Sequence, residues 1–192
     1  MPTGCPFGCK TSWLPGCSDM DQVLSDEFAE FAALADFQVG VLDGLESTWN
    51  RGGEIRFSIS VADEIEVRSI EREGDPLVEL RTDSSAVAER YLTAQLGSPL
   101  RSLAGLEGLL FLSAVGDFSP ADGYAIHRAS PGYALVETRT GHTVGVFAQN
   151  ISAAQYSFYA DAPLDPMRES FRTPQGDPLF RDAWQRWQGA AS

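Results

Sequence analysis

Residues 49–82, WNRGGEIRFSISVADEIEVRSIEREGDPLVELRT, decide how this chain is built. Ile55, Phe57, Ile59 and Val61 alternate with Glu54, Arg56, Ser58 and Ser60, the period-2 pattern of a half-buried strand. Asn50-Arg51-Gly52-Gly53 before this run and Ala62-Asp63 after it carry turn chemistry, since Gly and Asn accept positive φ at little cost. Ile65, Val67 and Ser69 continue the inward face. Glu71-Arg72-Glu73-Gly74-Asp75-Pro76 makes the next reversal, and Val78 and Leu80 return. The stretch therefore predicts three consecutive strands joined by tight turns. It also holds the densest acid charge: between Asp63 and Asp83 stand eight acids (Asp63, Glu64, Glu66, Glu71, Glu73, Asp75, Glu79, Asp83) against Arg68, Arg72 and Arg81.

Upstream, Ser25 followed by Asp26 and Glu27 reads as a helix start, with acids where the helix dipole favours them. Phe28, Phe31, Ala32 and Ala35 follow helical spacing and face the core. Phe37, Val39 and Val41 alternate in a short strand ending at Asp43-Gly44, and Trp49 is expected to pack inward. Downstream of Thr82 the period changes to that of a helix. Asp83 or Ser84 caps it, Val87, Ala88, Tyr91, Leu92 and Gln95 share one side, and Gly97 with Pro99 ends it. A loop with Leu100, Leu103 and Leu106 and an apolar run at 109–112 follow, and Ser119-Pro120 reads as one helical turn.

A second hairpin group occupies Tyr124 to His127, Tyr133 to Thr138 and Thr143 to Ala148, with turns at Ser130-Pro131-Gly132 and Thr140-Gly141. Helices are expected from Ser152 to Tyr159 and from Asp165, with Pro166 at its first position and Met167 and Phe171 buried. Trp184 and Trp187 close the chain. Strand groups with helices between them predict an α+β fold, with a largely antiparallel sheet (or sheets) from two hairpin groups covered by several helices. Residues 1–20 read as a Cys/Pro/Gly-rich tail and residues 21–192 as a single domain.

A chain of 192 residues with 43% hydrophobic content buries one core, and its net charge of −13 is large for that size. Such charge repels nucleic acid and anionic lipid and steers basic partners toward the protein. No run of roughly eighteen apolar residues reads as a membrane span, and the first residues lack the apolar core of a secretory signal. The expected location is the cytoplasm, and the expected state a monomer. Cys5, Cys9 and Cys17 are odd in number and spaced unlike paired zinc ligands, so neither a disulfide framework nor a metal site is expected.

The pattern contains no phosphate-binding glycine loop, no nucleophile elbow and no zinc-protease helix. His127 falls in a strand and His142 in a hairpin turn, neither beside a cysteine. Glu64 with Glu66, and Glu71 with Glu73, share strand faces at a spacing of two. Paired carboxylates of that kind perform acid–base chemistry when their pKa values split. A hydrolase or transferase built on such a pair is therefore one alternative, and an acidic adaptor or nucleic-acid mimic another. The residues alone name no catalytic group and no cofactor.

Several stretches taken in order resemble a known family. They are Trp49-x-x-Gly52-Gly53-Glu54-Ile55-Arg56, then Glu89-Arg90-Tyr91-Leu92 ahead of Gly97 and Arg101, then Gly123-Tyr124, then Ser170-Phe171 with Gly176-Asp177-Pro178-Leu179-Phe180. Their order and spacing resemble bacterial immunity proteins of family sixty-one in the polymorphic-toxin nomenclature, and the chain is also similar in size and character to the immunity factor for the tuberculosis necrotizing toxin. The chain departs from that pattern at Phe57-Ser58, where paired aromatics are expected, and in its Cys-rich head. The resemblance implies a non-enzymatic antitoxin that forms a 1:1 complex with a cognate secreted toxin and occludes its active site. For the necrotizing-toxin relative, that target cleaves nicotinamide from NAD. Toxins acting on NAD or nucleic acid need cationic pockets for phosphate, so an acidic surface fits as the blocker. Two surfaces qualify: the hairpin acids Glu64, Glu66, Glu71, Glu73 and Asp75, and a loop at Gly97-Ser98-Pro99 with Gln95, Ser98 and Arg101. Glu54 and Arg56 read as an internal ion pair within the sheet.

Overall fold

The computed structural model describes residues 22–72, 74–109 and 119–181. The Cys-rich head, Glu73, the run at 110–112 and both terminal tryptophans lie outside them. Within the described residues the chain forms α1 (Asp26–Leu34), β1 (Phe37–Leu42), β2 (Leu45–Asn50), β3 (Ile55–Val61), β4 (Ile65–Glu71), β5 (Leu77–Thr82) and α2 (Ser85–Leu103). After these come β6 (Tyr124–Arg128), β7 (Tyr133–Glu137), β8 (Thr143–Phe147), α3 (Asn150–Ser157) and α4 (Leu164–Arg172). The strands make one antiparallel sheet in the order β1-β2-β3-β4-β5-β8-β7-β6. The fold is the α+β arrangement expected, and the two hairpin groups merge into a single sheet where β5 pairs with β8.

That seam depends on a close approach. A Cβ on Gly145 of β8 would stand 2.8 Å from Leu80 Cδ1 and 3.0 Å from the Arg81 carbonyl oxygen, so β8 lies where only glycine fits. Beside it, Thr82 Oγ1 donates to the Val144 carbonyl across the seam. The pairing joins elements more than sixty residues apart.

The helices pack on the sheet face that carries Phe57, Ile59, Ile65, Val67, Leu80, Leu135 and Phe147. Ser25 caps α1 as expected, its hydroxyl accepting from the Phe28 N–H, and Phe28, Phe31, Ala32 and Ala35 are buried. Phe147 anchors one aromatic cluster, with ring centroids 6.1 Å from Tyr91 and 5.2 Å from Tyr156. Phe171 anchors a second, 6.3 Å from Phe31 and 5.3 Å from Phe180. Close-packed aromatic pairs of this kind stabilise by about 0.5–1.5 kcal/mol beyond their buried area.

Five local expectations are corrected. A strand, β2, precedes the three-strand stretch. Asp43-Gly44 is its hairpin turn, with both residues at positive φ. Helix α2 does not end at Gly97 and Pro99 but runs through them to Leu103, with Leu100 and Arg101 buried in its last turns. Gln95 of α2 is exposed rather than facing the core. No helix begins at Ser119, where the chain has no regular secondary structure before a turn into β6. Helix α4 is entered from Pro163, which places Pro166 inside its first turn.

Gly97 is in the helix because Phe171 of α4 lies against it. A Cβ there would meet three ring carbons at 2.3–2.6 Å, far inside contact distance. We expect Gly97→Ala to lower stability by about 1–3 kcal/mol through overpacking, although alanine is the better helix former. Urea denaturation checks this, and a neutral or stabilising result would contradict the α2–α4 packing.

Candidate functional site

The structure separates the hairpin acids that the sequence groups together. Turns 62–64 and 72–76 sit at opposite ends of β4, whose seven residues span about 20 Å at strand rise. Glu64 stands at one end, Glu71 and Asp75 at the other, and Glu66 between them on the face away from the helices. Glu73 lies outside the described residues.

That face, free of helices among the described residues, carries charge in matched pairs. Glu66 accepts from Arg81 Nε at 2.8 Å and from Arg68, whose Nε is at 3.1 Å and whose Nη2 also bonds it. Glu64 lies 3.3 Å from the same Arg81 Nε. The hydrogen bond from Arg81, then that from Arg68, hold the Glu66 carboxyl below its usual 4.5. This is the reverse of what a general acid requires. Arg56 pairs with Asp43 at 3.1 Å, not with Glu54, whose side chain is exposed. Trp49 lies half-buried on this face with its ring over Gly40, not in the core under the helices.

A pH prediction follows from Glu66. Its folded-state pKa is depressed, so its contribution is complete above the ordinary carboxylate range and is lost as pH falls through the folded value. Glu66→Gln is expected to be less stable than the parent at pH 7, and the gap is expected to close as pH falls from about 4.5 toward 3. Denaturation at both pH values measures it. An unchanged gap at pH 3 would show that Glu66 is not held by charge.

The second sequence-derived surface does not exist as a loop. Ser98 and Gln95 are exposed on α2, but Arg101 is only 1% exposed. Its guanidinium donates to the carbonyls of Glu107 (2.6 Å), Phe171 (3.4 Å), Thr173 (2.6 Å) and Pro174 (2.7 Å). Burial draws its pKa down, opposed by the charge of Glu107. Arg101 ties the end of α2 to the segment after α4 and is not available to a partner.

The end of the sheet near Glu71 is different. Glu71, Arg72, Gly74, Asp75 and Pro76 are exposed, Leu77 is 51% exposed, and neither Glu71 nor Asp75 has a cation at ion-pair distance among the described residues. The tip is nevertheless braced. Gly74 N–H donates to the Glu71 carbonyl at 2.9 Å, and Arg72 N–H donates to the Glu54 carbonyl at 2.6 Å, beside the exposed turn at residues 51–54. Unpaired carboxylates on a braced tip can enter a cationic cleft without first breaking internal ion pairs.

Sequence reasoning also missed a buried polar centre joining α1, α2 and α4. Glu89 accepts from the Ser25 N–H (2.9 Å) and the Ser25 hydroxyl (2.8 Å), and it pairs with Arg168. Arg168 also reaches Asp165 at 3.0 Å. Nearby, Arg90 donates to the Ala162 carbonyl at 2.8 Å and to the Tyr156 hydroxyl at 3.2 Å. The one available signal was Glu89-Arg90 on the apolar side of a helix, where charge is costly unless partnered.

The motifs that carried the family resemblance fall mostly on this internal scaffold. Glu89, Arg90, Gly97, Arg101 and Phe171 fix how the helices pack. Ser170 Oγ accepts from the Leu179 N–H and donates to the Pro166 carbonyl. No helix among the described residues is long and apolar enough to cross a membrane, and no metal-binding cluster occurs among them.

Comparison with known proteins agrees with this architecture. A Mycobacterium tuberculosis protein described as immunity factor for TNT is 26% identical over 150 residues, covering 77% of this chain and 84% of the relative. A Mycobacterium bovis homolog of that factor matches over the same span. The solved structure of Rv3902c from M. tuberculosis superimposes with a TM-score of 0.68 over 81% of this chain and 92% of its own. At 23% identity it speaks for the fold. The sequence profile described as Immunity protein 61 matches residues 31–179, and this chain belongs to that family.

Proposed function

We propose that this immunity protein silences a cognate toxin by seating the β4–β5 tip in the toxin's active-site cleft. Glu71 and Asp75 stand where the substrate places its phosphates. The observation that carries the reading is the pair of exposed carboxylates, with no cation at ion-pair distance among the described residues, on a tip braced against its neighbour. A toxin that cleaves NAD is the target class implied by the resemblance, since a dinucleotide pocket must be cationic for its pyrophosphate. Binding is then 1:1, takes place in the cytoplasm and involves no chemistry by this chain. Glu64 sits at the far end of the sheet and Glu66 is held by two arginines, so neither contributes to the plug.

The test is co-expression with the cognate toxin. The parent is expected to rescue growth, and Glu71→Lys with Asp75→Lys to weaken the complex at least tenfold, since each reversal sets like charges together. Undiminished rescue by that variant would remove the tip from the interface.

A further inference from the structure

At the end that carries the tip, the sheet is stepped. Strand register places Val67, Leu80, Phe147, Tyr133 and Arg128 in one row across β4, β5, β8, β7 and β6. Arg72 lies five residues beyond that row along the chain of β4, about 16 Å at strand rise. The β4–β5 tip therefore stands as a finger above a shoulder formed by the β6–β7 turn. Toward the tip, pairing of β8 with β5 stops at the bond from the Ala148 N–H to the Glu79 carbonyl, which leaves Leu77, 51% exposed, as the riser between the two levels.

The shoulder holds a cation that the fold leaves alone. The chain has 27 acids against 14 bases. Most arginines among the described residues sit on carboxylates, as Arg56 does on Asp43 and Arg139 on Glu137, or on carbonyls, as Arg90 and Arg101 do. Arg51, Arg72 and Arg128 are exposed, their side chains have neither kind of partner among the described residues, and all three lie at the stepped end. Arg128 shares a strand face with Tyr124 and Ile126, which pack on the core, yet stays open to solvent. It lines a cavity of about 670 Å³ together with residues 129–133 and Ala148, and no carboxylate lines that cavity among the described residues. Cavities at the far end of the sheet are walled by Glu27, Asp63 and Asp83 instead.

Four strand spacings across and the rise along β4 put finger and shoulder about 25 Å apart. A standard interface buries about 800 Å² on each partner and is roughly 30 Å wide, so one toxin face covers both. Seating the tip in a cleft brings the rim of that cleft down on Arg128. A guanidinium covered without an anion carries its whole desolvation cost, so a fitting rim presents a carboxylate, which arginine's planar fork meets with two parallel hydrogen bonds. A free phosphate has this one guanidinium to hold it, whereas a carboxylate on a toxin already seated at the tip arrives at high effective concentration. We propose that the shoulder is a second contact, in which Arg128 pairs with a carboxylate on the rim of the toxin's cleft. The proposal rests on the antitoxin reading for its partner. It asks of the cognate toxin a cationic floor and an anionic rim, a pairing that a merely basic cleft lacks.

The experiment measures affinity of the full chain for the cognate toxin domain by calorimetry, with circular dichroism to verify folding. Arg128→Glu is compared with Arg139→Glu, an equal change of net charge at the exposed β7–β8 turn, at the other end of the sheet. Arg128→Glu is expected to weaken binding at least tenfold yet still to inhibit completely at saturation, because the tip is untouched. Arg128→Lys is expected to fall between it and the parent, keeping the charge but not the fork. Arg139→Glu is expected to stay within about twofold of the parent, as a rim charge outside the contact does. Equal losses in the two glutamate variants would mean that only the overall field matters, and would overturn the proposal. If the tip variant loses the toxin while Arg128→Glu keeps parental affinity, the shoulder falls and the plug stands. If Arg128→Glu loses the toxin while the tip variant keeps it, the shoulder stands and the plug falls.

Discussion

Glu89→Ala is expected to cost about 3–5 kcal/mol of stability and to lower the thermal midpoint by roughly 10 °C. Glu89 is 4% exposed and Arg168 5%. Removing the carboxylate leaves a guanidinium inside the protein with only Asp165 and the Ser25 hydroxyl for company. It also strips two acceptors from Ser25, the residue that caps α1. Two elements are damaged at once. Glu89→Gln keeps an acceptor for Ser25 but not the charge, and is expected to fall between parent and alanine variant. Replacing Glu89 and Arg168 together by methionine should cost less than either single change, since no charge is then left buried unpaired. Urea denaturation of the four proteins, with the slope checked for constancy, gives the comparison. Glu89→Ala within about 1 kcal/mol of the parent would contradict a buried ion pair at this junction.

Arg101→Met is the second large effect, at roughly 4 kcal/mol or more. Methionine fills much of the space but leaves the carbonyls of Glu107, Phe171, Thr173 and Pro174 without their donor. Hydrogen bonds to a charged group contribute about 1.5–3 kcal/mol each, and their loss here is concentrated in one place. Arg101→Lys is not a rescue, because an ammonium on a flexible stem cannot reproduce the planar fork that meets carbonyls from two segments. The effect has a local signature. Amide exchange at Gly176 and Phe180, whose N–H groups close the turn after α4, should speed up in the lysine variant before global stability falls. Unchanged exchange there would mean that the turn holds itself.

These two centres also mark where the sequence stopped being legible. Local signals read well: Ser25 ahead of two acids, the alternation from Ile55 to Val67, and the hairpin turns at Gly132 and Gly141 all became the elements expected. Strand β2 escaped because Glu46, Ser47 and Thr48 break its apolar alternation. Glu46 faces the helices and accepts from the N–H groups of Val23 and Leu24, so a carboxylate occupies a position where pattern demands a hydrophobe. Gly97 and Pro99 gave the usual signal for a helix end, but packing overrode propensity. Phe171 needs the missing Cβ, and Leu100 and Arg101 hold the final turns in the core. The β5–β8 seam joins distant segments, which no local pattern encodes.

The candidate site was legible in composition but not in arrangement. Acid density in residues 63–83 was visible. Strand register then distributed those acids over two ends and one face of the sheet, and arginines removed Glu64 and Glu66 from the free set. Charge counting along a chain cannot anticipate which carboxylates the fold neutralises. Several residues that match the family pattern turned out to hold helices together, as the motif containing Glu89 and Arg90 illustrates.

The most direct measurement is a titration of the purified chain into a fixed amount of its cognate toxin while toxin turnover is followed. A stopper that seats Glu71 and Asp75 in the catalytic cleft predicts activity falling linearly to zero at one equivalent, no substrate consumed by the chain alone, and a weakened endpoint for the charge-reversed tip. A stable complex that leaves turnover intact, or substrate consumed by the chain by itself, would contradict it.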